Sequence, residues 1–348
     1  METRAITRAD RYVYAADESR YEKMSYRRVG DSGLKLSPFS LGFWHNFGSV
    51  NDFENMKRLM RTSFDAGITS FDLANNYGPV YGSAEENFGR IMETDFRPYR
   101  NEMAISSKAG YDMWAGPYGA GGSRKYLIAS CDESLKRMKL DYFDLFYHHC
   151  MDPETPVEET IEALNLLVLQ GKTLYVGISN YDRETTQRAK EYARSIRCPL
   201  IIQQRRFSLF DRSIEEDGTL EYCANNGISE ICFSPLAQGL LTDRYLNGIP
   251  ADSRMARDNR FLRREDLTDK TLEVIRKLNA FAAGRGQTLA EMSLAWLLSH
   301  PAVCSVIIGA SKPEQILTNV RALDHADFTG DEQKAIHEIL ADQQFYQN

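Results

Sequence analysis

The chain has 348 residues, of which 43% are hydrophobic, an ordinary proportion for a globular protein with a large core. Its formal net charge of −7 at pH 7 argues against nucleic acid or an anionic membrane surface as the main partner. The six cysteines are scattered and form no C-x-x-C pair, so neither a disulfide framework nor a zinc site is indicated. We therefore expect reduced thiols and a cytoplasmic location.

The beginning of the chain is a charged segment. Residues 1–25 are rich in Arg, Asp and Glu and lack the apolar stretch of a signal peptide. Nowhere does the chain reach the run of about eighteen apolar residues that a membrane helix needs. We predict an N-terminal arm over residues 1–25, which either lies on the folded protein or on a neighbouring subunit, or forms a partly disordered tail.

A regular alternation of strand-like and helix-like segments follows the arm. Residues 26–37 contain two short alternating segments around a Gly-Asp-Ser-Gly turn, which predicts a β-hairpin. Eight short apolar runs come next, with segments of helical periodicity between them. The predicted strands are Phe39–Gly42, Ile68–Asp72, Met103–Lys108, Phe143–His149, Thr173–Ile178, Leu200–Gln204, Ile228–Phe233 and Val303–Ile308.

Two of the predicted helices have clear terminal signals. Ser123 is a candidate N-cap for the first. The second covers Val157–Gln170 and ends before Gly171, where a C-terminal glycine is expected. Eight strands alternating with helices, without a Pro/Gly/Ser-rich linker, favour a closed (β/α)8 TIM barrel over a doubly wound sheet. Residues 26–348 are therefore predicted to form a single domain.

Three segments lie outside the regular alternation. Residues 111–122 and 242–268 both follow predicted barrel strands, so we expect them to overhang the face that the strand ends form. Gln333–Gln344 has helical periodicity and is predicted to be an extra C-terminal helix outside the barrel.

Three consecutive strands lead to side chains that can act in catalysis. Asp72, Lys108 and His149 stand at the ends of the second, third and fourth barrel strands, and Tyr77 follows Asp72 by five residues. Because the carboxyl ends of barrel strands open onto one face, these four side chains are expected to share a pocket. Taken singly, each has a structural interpretation: a buried Asp–Lys pair or a core histidine.

Together the four residues suggest proton transfer to a carbonyl oxygen. Tyr77 is the candidate acid. The pKa of a free phenol is roughly 10, so Tyr77 would donate its proton more easily if Lys108 lowered that pKa. Asp72 would hold Lys108 charged, and His149 would orient the carbonyl. His148 and His149 are successive strand residues that face opposite ways, so we predict no metal site.

The cofactor motif of the Rossmann fold is absent from the sequence. No G-x-G-x-x-G occurs, and the nearest stretch, Gly119–Arg124, lacks the third glycine. The sequence also lacks a Y-x-x-x-K pair, a H-E-x-x-H helix and a G-x-S-x-G elbow. The sequence therefore does not predict a cofactor site of the Rossmann type.

The motifs resemble one known family. In their order along the chain, they are similar to those of the aldo-keto reductase superfamily over about residues 26–340. Within it, segments 42–48 and 110–126 most resemble bacterial reductases of L-glyceraldehyde 3-phosphate, and the potassium-channel beta subunits are the next nearest group. The matching segments are Phe71–Gly78, Gly82–Gly89, Ser106–Lys108, Asp144–His149, Val176–Asn180, Ser234–Thr242 and Ile308–Gln315.

The resemblance implies a function and a cofactor, NADP(H). It implies that Asp72, Tyr77, Lys108 and His149 form a catalytic tetrad with Tyr77 as the acid. Some relatives have arginine at Gln315, so Lys312 and Arg254 would here supply the charge for the 2′-phosphate. The implied cofactor residues are Ser179, Asn180 and Gln204 for the carboxamide, Phe207 for ring stacking, Ser234, Leu236, Ala237 and Gly239 for the pyrophosphate, Arg244 and Arg254 as clamps, and Gly309, Ser311, Lys312, Gln315 and Asn319 for the adenosine end.

Arg205 and Arg206 depart from the pattern of the family, which has small, acidic or proline residues there. One of two adjacent strand residues must face outward, so one is expected to be an ordinary surface arginine. The other is a candidate for binding an anionic substrate or for adjusting cofactor affinity.

The predicted activity is NADPH-dependent reduction of small aldehydes and ketones, with glyceraldehyde 3-phosphate and methylglyoxal as candidate substrates. Trp44 and Trp114 are predicted to wall the substrate pocket. Relatives suggest a homo-oligomer, a tetramer or an octamer. Two alternatives stay open: a regulatory subunit that holds NADPH with little turnover, and an aldolase-like barrel in which Lys108 forms a Schiff base.

Overall fold

A short hairpin closes one end of a barrel. The computed structural model describes residues 14–246, 248–250, 254–257 and 262–341 of the chain. Strands β1 (Arg27–Arg28) and β2 (Lys35–Leu36) pair antiparallel, as the sequence predicts. Val29 and Leu36 are buried in the apolar cluster inside the barrel. The hairpin therefore covers the amino ends of the barrel strands and leaves their carboxyl ends open.

The barrel itself has the eight predicted parallel strands. Each strand pairs with the next one along the chain, and the last pairs with the first, so the sheet is closed. The predicted (β/α)8 TIM barrel is thus confirmed. The strands are β3 (Phe39–Gly42), β4 (Ser70–Asp72), β5 (Ala104–Ala109), β6 (Phe143–His148), β7 (Thr173–Ser179), β8 (Leu200–Arg206), β9 (Ser229–Phe233) and β10 (Val303–Ile308).

Helices surround the barrel. The Ser123 hydroxyl accepts a hydrogen bond from the Tyr126 backbone N–H and so caps the helix Arg124–Met138. Gly171, at φ +70°, follows the end of the helix Val157–Leu169, as predicted. The helices are α1 (Phe53–Asp65), α2 (Ser83–Ile91), α3 (Arg124–Met138), α4 (Val157–Leu169), α5 (Arg183–Ser195), α6 (Ser213–Glu216), α7 (Thr219–Asn225), α8 (Arg254–Arg257), α9 (Asp269–Gly284), α10 (Leu289–Leu298), α11 (Pro313–Val320) and α12 (Gly330–Leu340).

The extra C-terminal helix begins earlier than predicted. The expected start was Gln333, whereas α12 begins at Gly330, because Thr329 and Glu332 form a reciprocal capping box around its first turn. It packs against α9, outside the barrel. Residues 342–344 of the predicted segment lie outside the described residues.

The described part of the N-terminal arm lies on the barrel. The Tyr14 hydroxyl donates a hydrogen bond to Asp65, at the end of α1, and the backbone N–H of Ala16 donates to the Tyr99 hydroxyl at 3.0 Å. The arm therefore contacts the chain's own folded body over residues 14–25. Among the described residues, no helix combines the length and the hydrophobicity needed to cross a membrane.

Candidate active site

A cavity of about 1320 Å³ lies where the barrel strands end. The side chains of Asp72, Tyr77 and His149 line it together, so three of the four predicted catalytic residues share one pocket. Its wall continues around the barrel through residues at or just beyond the ends of other strands, among them Gly42, Gln204, Arg206, Phe233 and Ile308.

Lys108 is fully buried and does not itself line the cavity, but it contacts Asp72, which does. Its Nζ donates hydrogen bonds to Asp72 Oδ2 and to the backbone oxygen of Leu73, both at 2.6 Å. Burial lowers the pKa of Lys108, whereas the carboxylate of Asp72 opposes that shift. A buried ammonium ion needs hydrogen-bond acceptors in place of water, and Lys108 Nζ has two. The predicted pairing of Asp72 with Lys108 is present.

The other carboxylate oxygen of Asp72 is also bound. Oδ1 accepts from the Ser106 hydroxyl and from Gln204 Nε2, each at 3.0 Å. Gln204 comes from β8, across the barrel from Asp72 on β4. Asp72 thus fixes Lys108 on one side and a predicted cofactor residue on the other.

Tyr77 stands beside Lys108, with its ring centre 4.8 Å from Nζ. Burial raises the pKa of Tyr77 well above its usual range, and Asp72 and Tyr111 raise it further. The predicted lowering of this pKa by Lys108 is therefore not seen, because Asp72 offsets the field of the ammonium and because burial disfavours a phenolate. Tyr77 is consequently protonated at neutral pH, which is the form that a proton donor requires.

His149 contacts two phenols. Its ring centre lies 5.8 Å from that of Tyr77 and 4.7 Å from that of Tyr111, both edge to face. Burial lowers the pKa of His149 well below its usual range, and the positive charge of Lys108 adds to the effect. The imidazole is therefore neutral at neutral pH. It can orient a carbonyl through a hydrogen bond without carrying a charge.

His148 faces away from the pocket, as strand alternation predicts. Its Nδ1 lies 2.7 Å from the Tyr181 hydroxyl, and burial lowers its pKa to about 4. Within the described part of the chain, no group of three or more His, Cys, Asp or Glu side chains could hold a metal ion.

Most of the predicted cofactor residues line the same cavity. The loop after β9 over residues 234–239, called the cradle loop below, has three successive residues of positive φ, +47° at Ala237, +60° at Gln238 and +100° at Gly239. The loop forms tight turns in which the backbone N–H groups of Ala237 and Gly239 donate to oxygens of the same loop. Arg244 and Lys312 place positive charge in the cavity wall. The predicted cofactor residues that line the cavity are Asn180, Gln204, Ser234, Leu236, Ala237, Gly239, Arg244, Gly309, Ser311, Lys312, Gln315 and Asn319.

Phe207, predicted to stack on the cofactor ring, does not line the cavity. Its ring is fully buried against Trp296 and His300, at 5.3 and 5.1 Å between ring centres. Alternation along β8 explains this, because Gln204 and Arg206 face the pocket and the next residue faces away. Phe233, at the end of β9 and directly before the cradle loop, lines the cavity instead. An aromatic residue at a strand end was the signal that could have found it.

Trp114, predicted to wall the substrate pocket, does not line the cavity either. It is 41% exposed and packs against the ring of Tyr126 at 5.2 Å. The segment folds back on itself through a hydrogen bond from Met113 N–H to the Gly119 oxygen, which carries Trp114 outward. Tyr111, nearer to the end of β5, lines the cavity, and so does Trp44.

Two further predicted residues do not reach the cavity wall. Ser179 is fully buried, and its hydroxyl donates to the backbone oxygen of Gln204 at 3.0 Å, so it supports its neighbours rather than facing the pocket. The side chain of Arg254 lies outside the described part of the structure.

Arg205 and Arg206 face in opposite directions. Arg205 points away from the pocket, donating to the backbone oxygen of Tyr181 and lying 3.5 Å from Asp217. Arg206 lines the cavity and forms an ion pair with Asp211. Of the two, Arg206 is the one that a ligand can meet.

The chain is similar to several known proteins. The family model described as "Aldo/keto reductase family" matches residues 38–341. The chain is 53% identical over 333 residues to a protein of Escherichia coli (strain K12) named L-glyceraldehyde 3-phosphate reductase, covering 95% of this chain and 96% of that protein. It is 38% identical over 306 residues to a probable voltage-gated potassium channel subunit beta of Oryza sativa subsp. japonica, covering 86% and 92%.

One solved structure extends the comparison. A thermostable aldo-keto reductase in complex with the inhibitor epalrestat superposes with a TM-score of 0.72 at 29% identity, covering 91% of this chain and 100% of the other.

Proposed function

Because this chain belongs to the aldo/keto reductase family, as its strand-end motifs predicted, we propose that it is an NADPH-dependent reductase of small aldehydes and ketones. One observation carries the proposal: the predicted proton donor, Tyr77, shares a cavity with twelve of the predicted cofactor residues. Glyceraldehyde 3-phosphate and methylglyoxal are the candidate substrates. The name of the Escherichia coli relative supports the first of them.

The tetrad would protonate the substrate oxygen. NADPH, when bound, supplies the hydride. Tyr77, protonated at neutral pH, donates its proton to the carbonyl oxygen, and the Lys108 ammonium stabilises the negative charge that develops there. Neutral His149 orients the carbonyl by a hydrogen bond. Asp72 keeps Lys108 protonated and in place, since its carboxylate is 2.6 Å from Nζ.

The other half of the cavity would hold the cofactor. We assign the carboxamide to Asn180 and Gln204, ring stacking to Phe233 in place of Phe207, and the pyrophosphate to the cradle loop over residues 234–239 with Arg244 as clamp. Gln315 Oε1 accepts from the backbone N–H groups of Ser311 and Lys312, at 2.8 and 3.1 Å, and so its oxygen binds its own loop. The Lys312 ammonium therefore remains the better partner for the 2′-phosphate, together with Arg254.

A substrate panel tests this function. We expect purified protein to oxidise NADPH in the presence of methylglyoxal or glyceraldehyde 3-phosphate, followed by absorbance, and to use NADH less efficiently. The reason for the preference is the positive charge of Lys312 at the adenosine end. No turnover with any aldehyde or ketone of the panel would contradict the proposal.

Two further measurements test the alternatives of a regulatory subunit and a Schiff-base enzyme. A regulatory subunit, favoured by the channel-subunit relatives, would bind NADPH tightly and oxidise it only in a slow single turnover. The Schiff-base alternative needs a neutral amine at Lys108, whereas the Asp72 carboxylate, 2.6 Å from Nζ, favours the protonated form. Borohydride trapping of substrate on Lys108 would be the result that revives it.

Arg206 should contribute to cofactor affinity. Since Arg206 lines the cofactor half of the cavity beside the cradle loop, we expect Arg206→Ala to raise the Kd for NADPH by roughly tenfold through loss of a charge-assisted hydrogen bond. Arg205→Ala is the matched control, because its side chain faces away. Titration of NADPH fluorescence measures both variants, and equal Kd values for Arg206→Ala and wild type would show that Arg206 has no such role.

We further propose that the protein is a cytoplasmic homo-oligomer, a tetramer or an octamer, with residues 1–25 as its arm. The composition of the chain and the resemblance to oligomeric relatives support this proposal.

A further inference from the structure

Tyr111 brings a second phenol into the active cavity. It lies three residues after Lys108, lines the pocket together with Tyr77, and is 43% exposed. Its ring packs edge to face on His149 at 4.7 Å, and Tyr77 packs on the same imidazole at 5.8 Å. The two phenols are therefore neighbours around one histidine.

Hydrogen bonds hold Tyr111 to the loop that carries Tyr77. The Tyr126 hydroxyl donates to the backbone oxygen of Tyr111 at 2.6 Å, and Asn75 Nδ2 donates to that same hydroxyl at 3.0 Å. Tyr126 and Asn75 are both fully buried. Although Tyr111 begins a surface segment, its position relative to Tyr77 is thus set by the core.

The hydroxyl of Tyr111 has a hydrogen atom to donate. It accepts a hydrogen bond from Asn180 Nδ2 at 3.4 Å, and no described residue accepts a hydrogen bond from it. Asn180 itself donates to the backbone oxygen of His149 at 3.1 Å. The phenol therefore presents an O–H donor within the cavity that Tyr77 and His149 also line.

We infer that Tyr111 is a specificity-determining residue, whose hydroxyl binds a second substrate oxygen on the carbon next to the reacting carbonyl. The inference rests on the proposed function, in which Tyr77 protonates the first oxygen. Two neighbouring phenol donors match two neighbouring oxygen acceptors, as in an α-oxo or α-hydroxy aldehyde. A simple aldehyde has no second oxygen and leaves the Tyr111 donor without a partner. A site built to hydrogen-bond a substrate oxygen discriminates against analogues that lack that oxygen.

Methylglyoxal and propanal form the test pair, since they differ at the carbon next to the aldehyde. We expect Tyr111→Phe to lower kcat/KM for methylglyoxal by roughly tenfold, the effect of one lost hydrogen bond, and to leave kcat/KM for propanal within a factor of about two. Phenylalanine keeps the ring against His149, so general disorder of the site is avoided. Tyr81→Phe is the matched control, because Tyr81 bonds Asp112 of the same segment and does not line the cavity.

Each outcome decides the inference. Equal losses on both aldehydes would mean that Tyr111 only positions His149, and no loss on either would mean that its hydroxyl does not contact substrate; both overturn the inference. A wild-type protein that reduces propanal but not methylglyoxal would overturn it and leave the proposed function intact. Failure to oxidise NADPH with any carbonyl compound would overturn both.

Discussion

Replacement of Tyr77 by phenylalanine should lower the turnover of carbonyl reduction by roughly 10²- to 10⁴-fold, the contribution expected of a positioned general acid. The reason is that burial keeps this phenol protonated, and the ring lines the cavity with its centre 4.8 Å from Lys108 Nζ. The variant should still bind NADPH and quench its fluorescence, because the ring and its packing are retained. Steady-state kinetics and fluorescence titration of the same preparation measure the two properties separately.

Tyr147 offers a matched control for this variant. Its ring also lies near Lys108, 5.9 Å from Nζ, but inside the barrel, and its hydroxyl has no hydrogen-bond partner in the described part of the chain. Tyr147→Phe should therefore leave turnover unchanged. If Tyr77→Phe retains full turnover, or if both variants lose it equally, Tyr77 is not the acid.

Substitution of Asp72 by asparagine should damage both stability and catalysis. Lys108 is fully buried and would lose the carboxylate that opposes the effect of burial on its pKa. Removing one partner of a buried ion pair typically costs about 3–5 kcal/mol in the free energy of unfolding. The amine would then become neutral more readily, and a neutral amine stabilises a developing oxyanion poorly. Denaturant unfolding and turnover are the two measurements.

A double variant separates charge from packing. Asp72→Asn with Lys108→Met removes both charges, so we expect it to regain part of the lost unfolding free energy but none of the activity. Ser106→Ala is the milder control, since it deletes one hydrogen bond from a neutral hydroxyl to the Asp72 carboxylate and should cost about 1.5–3 kcal/mol. Wild-type stability in Asp72→Asn would show that the ion pair does not hold this site together.

The strand ends were predictable because their signal is local. Each barrel strand is a short apolar run of the sequence, and a reactive side chain at its end must lie on the open face once the barrel closes. Asp72, Lys108 and His149 needed only the fold class to be brought together. The cradle loop after β9 was predicted only through its resemblance to the pyrophosphate loop of the aldo-keto reductases.

The orientation of side chains at the edges of these elements was not predictable in the same way. Whether Phe207 faces the pocket depends on where β8 stops alternating, and whether Phe233 does so depends on the end of β9. Whether Trp114 or Tyr111 faces it depends on how residues 111–122 fold back. Arg205 and Arg206 are adjacent, and only the register of β8 shows which of them enters the cavity.

The chain's sequence by itself determined the barrel, its open face and the four side chains proposed for proton transfer, because periodicity and strand-end position are properties of neighbouring residues. Only the tertiary structure decided which aromatic rings wall the pocket and that the pKa of Tyr77 rises rather than falls. Both properties depend on groups that are far apart in the chain. The pKa of Tyr77, for example, depends on burial by the surrounding elements and on the electrostatic effects of Asp72 and Tyr111. The residues next to Tyr77 in the sequence do not determine these effects, because the groups that cause them come together only when the barrel closes.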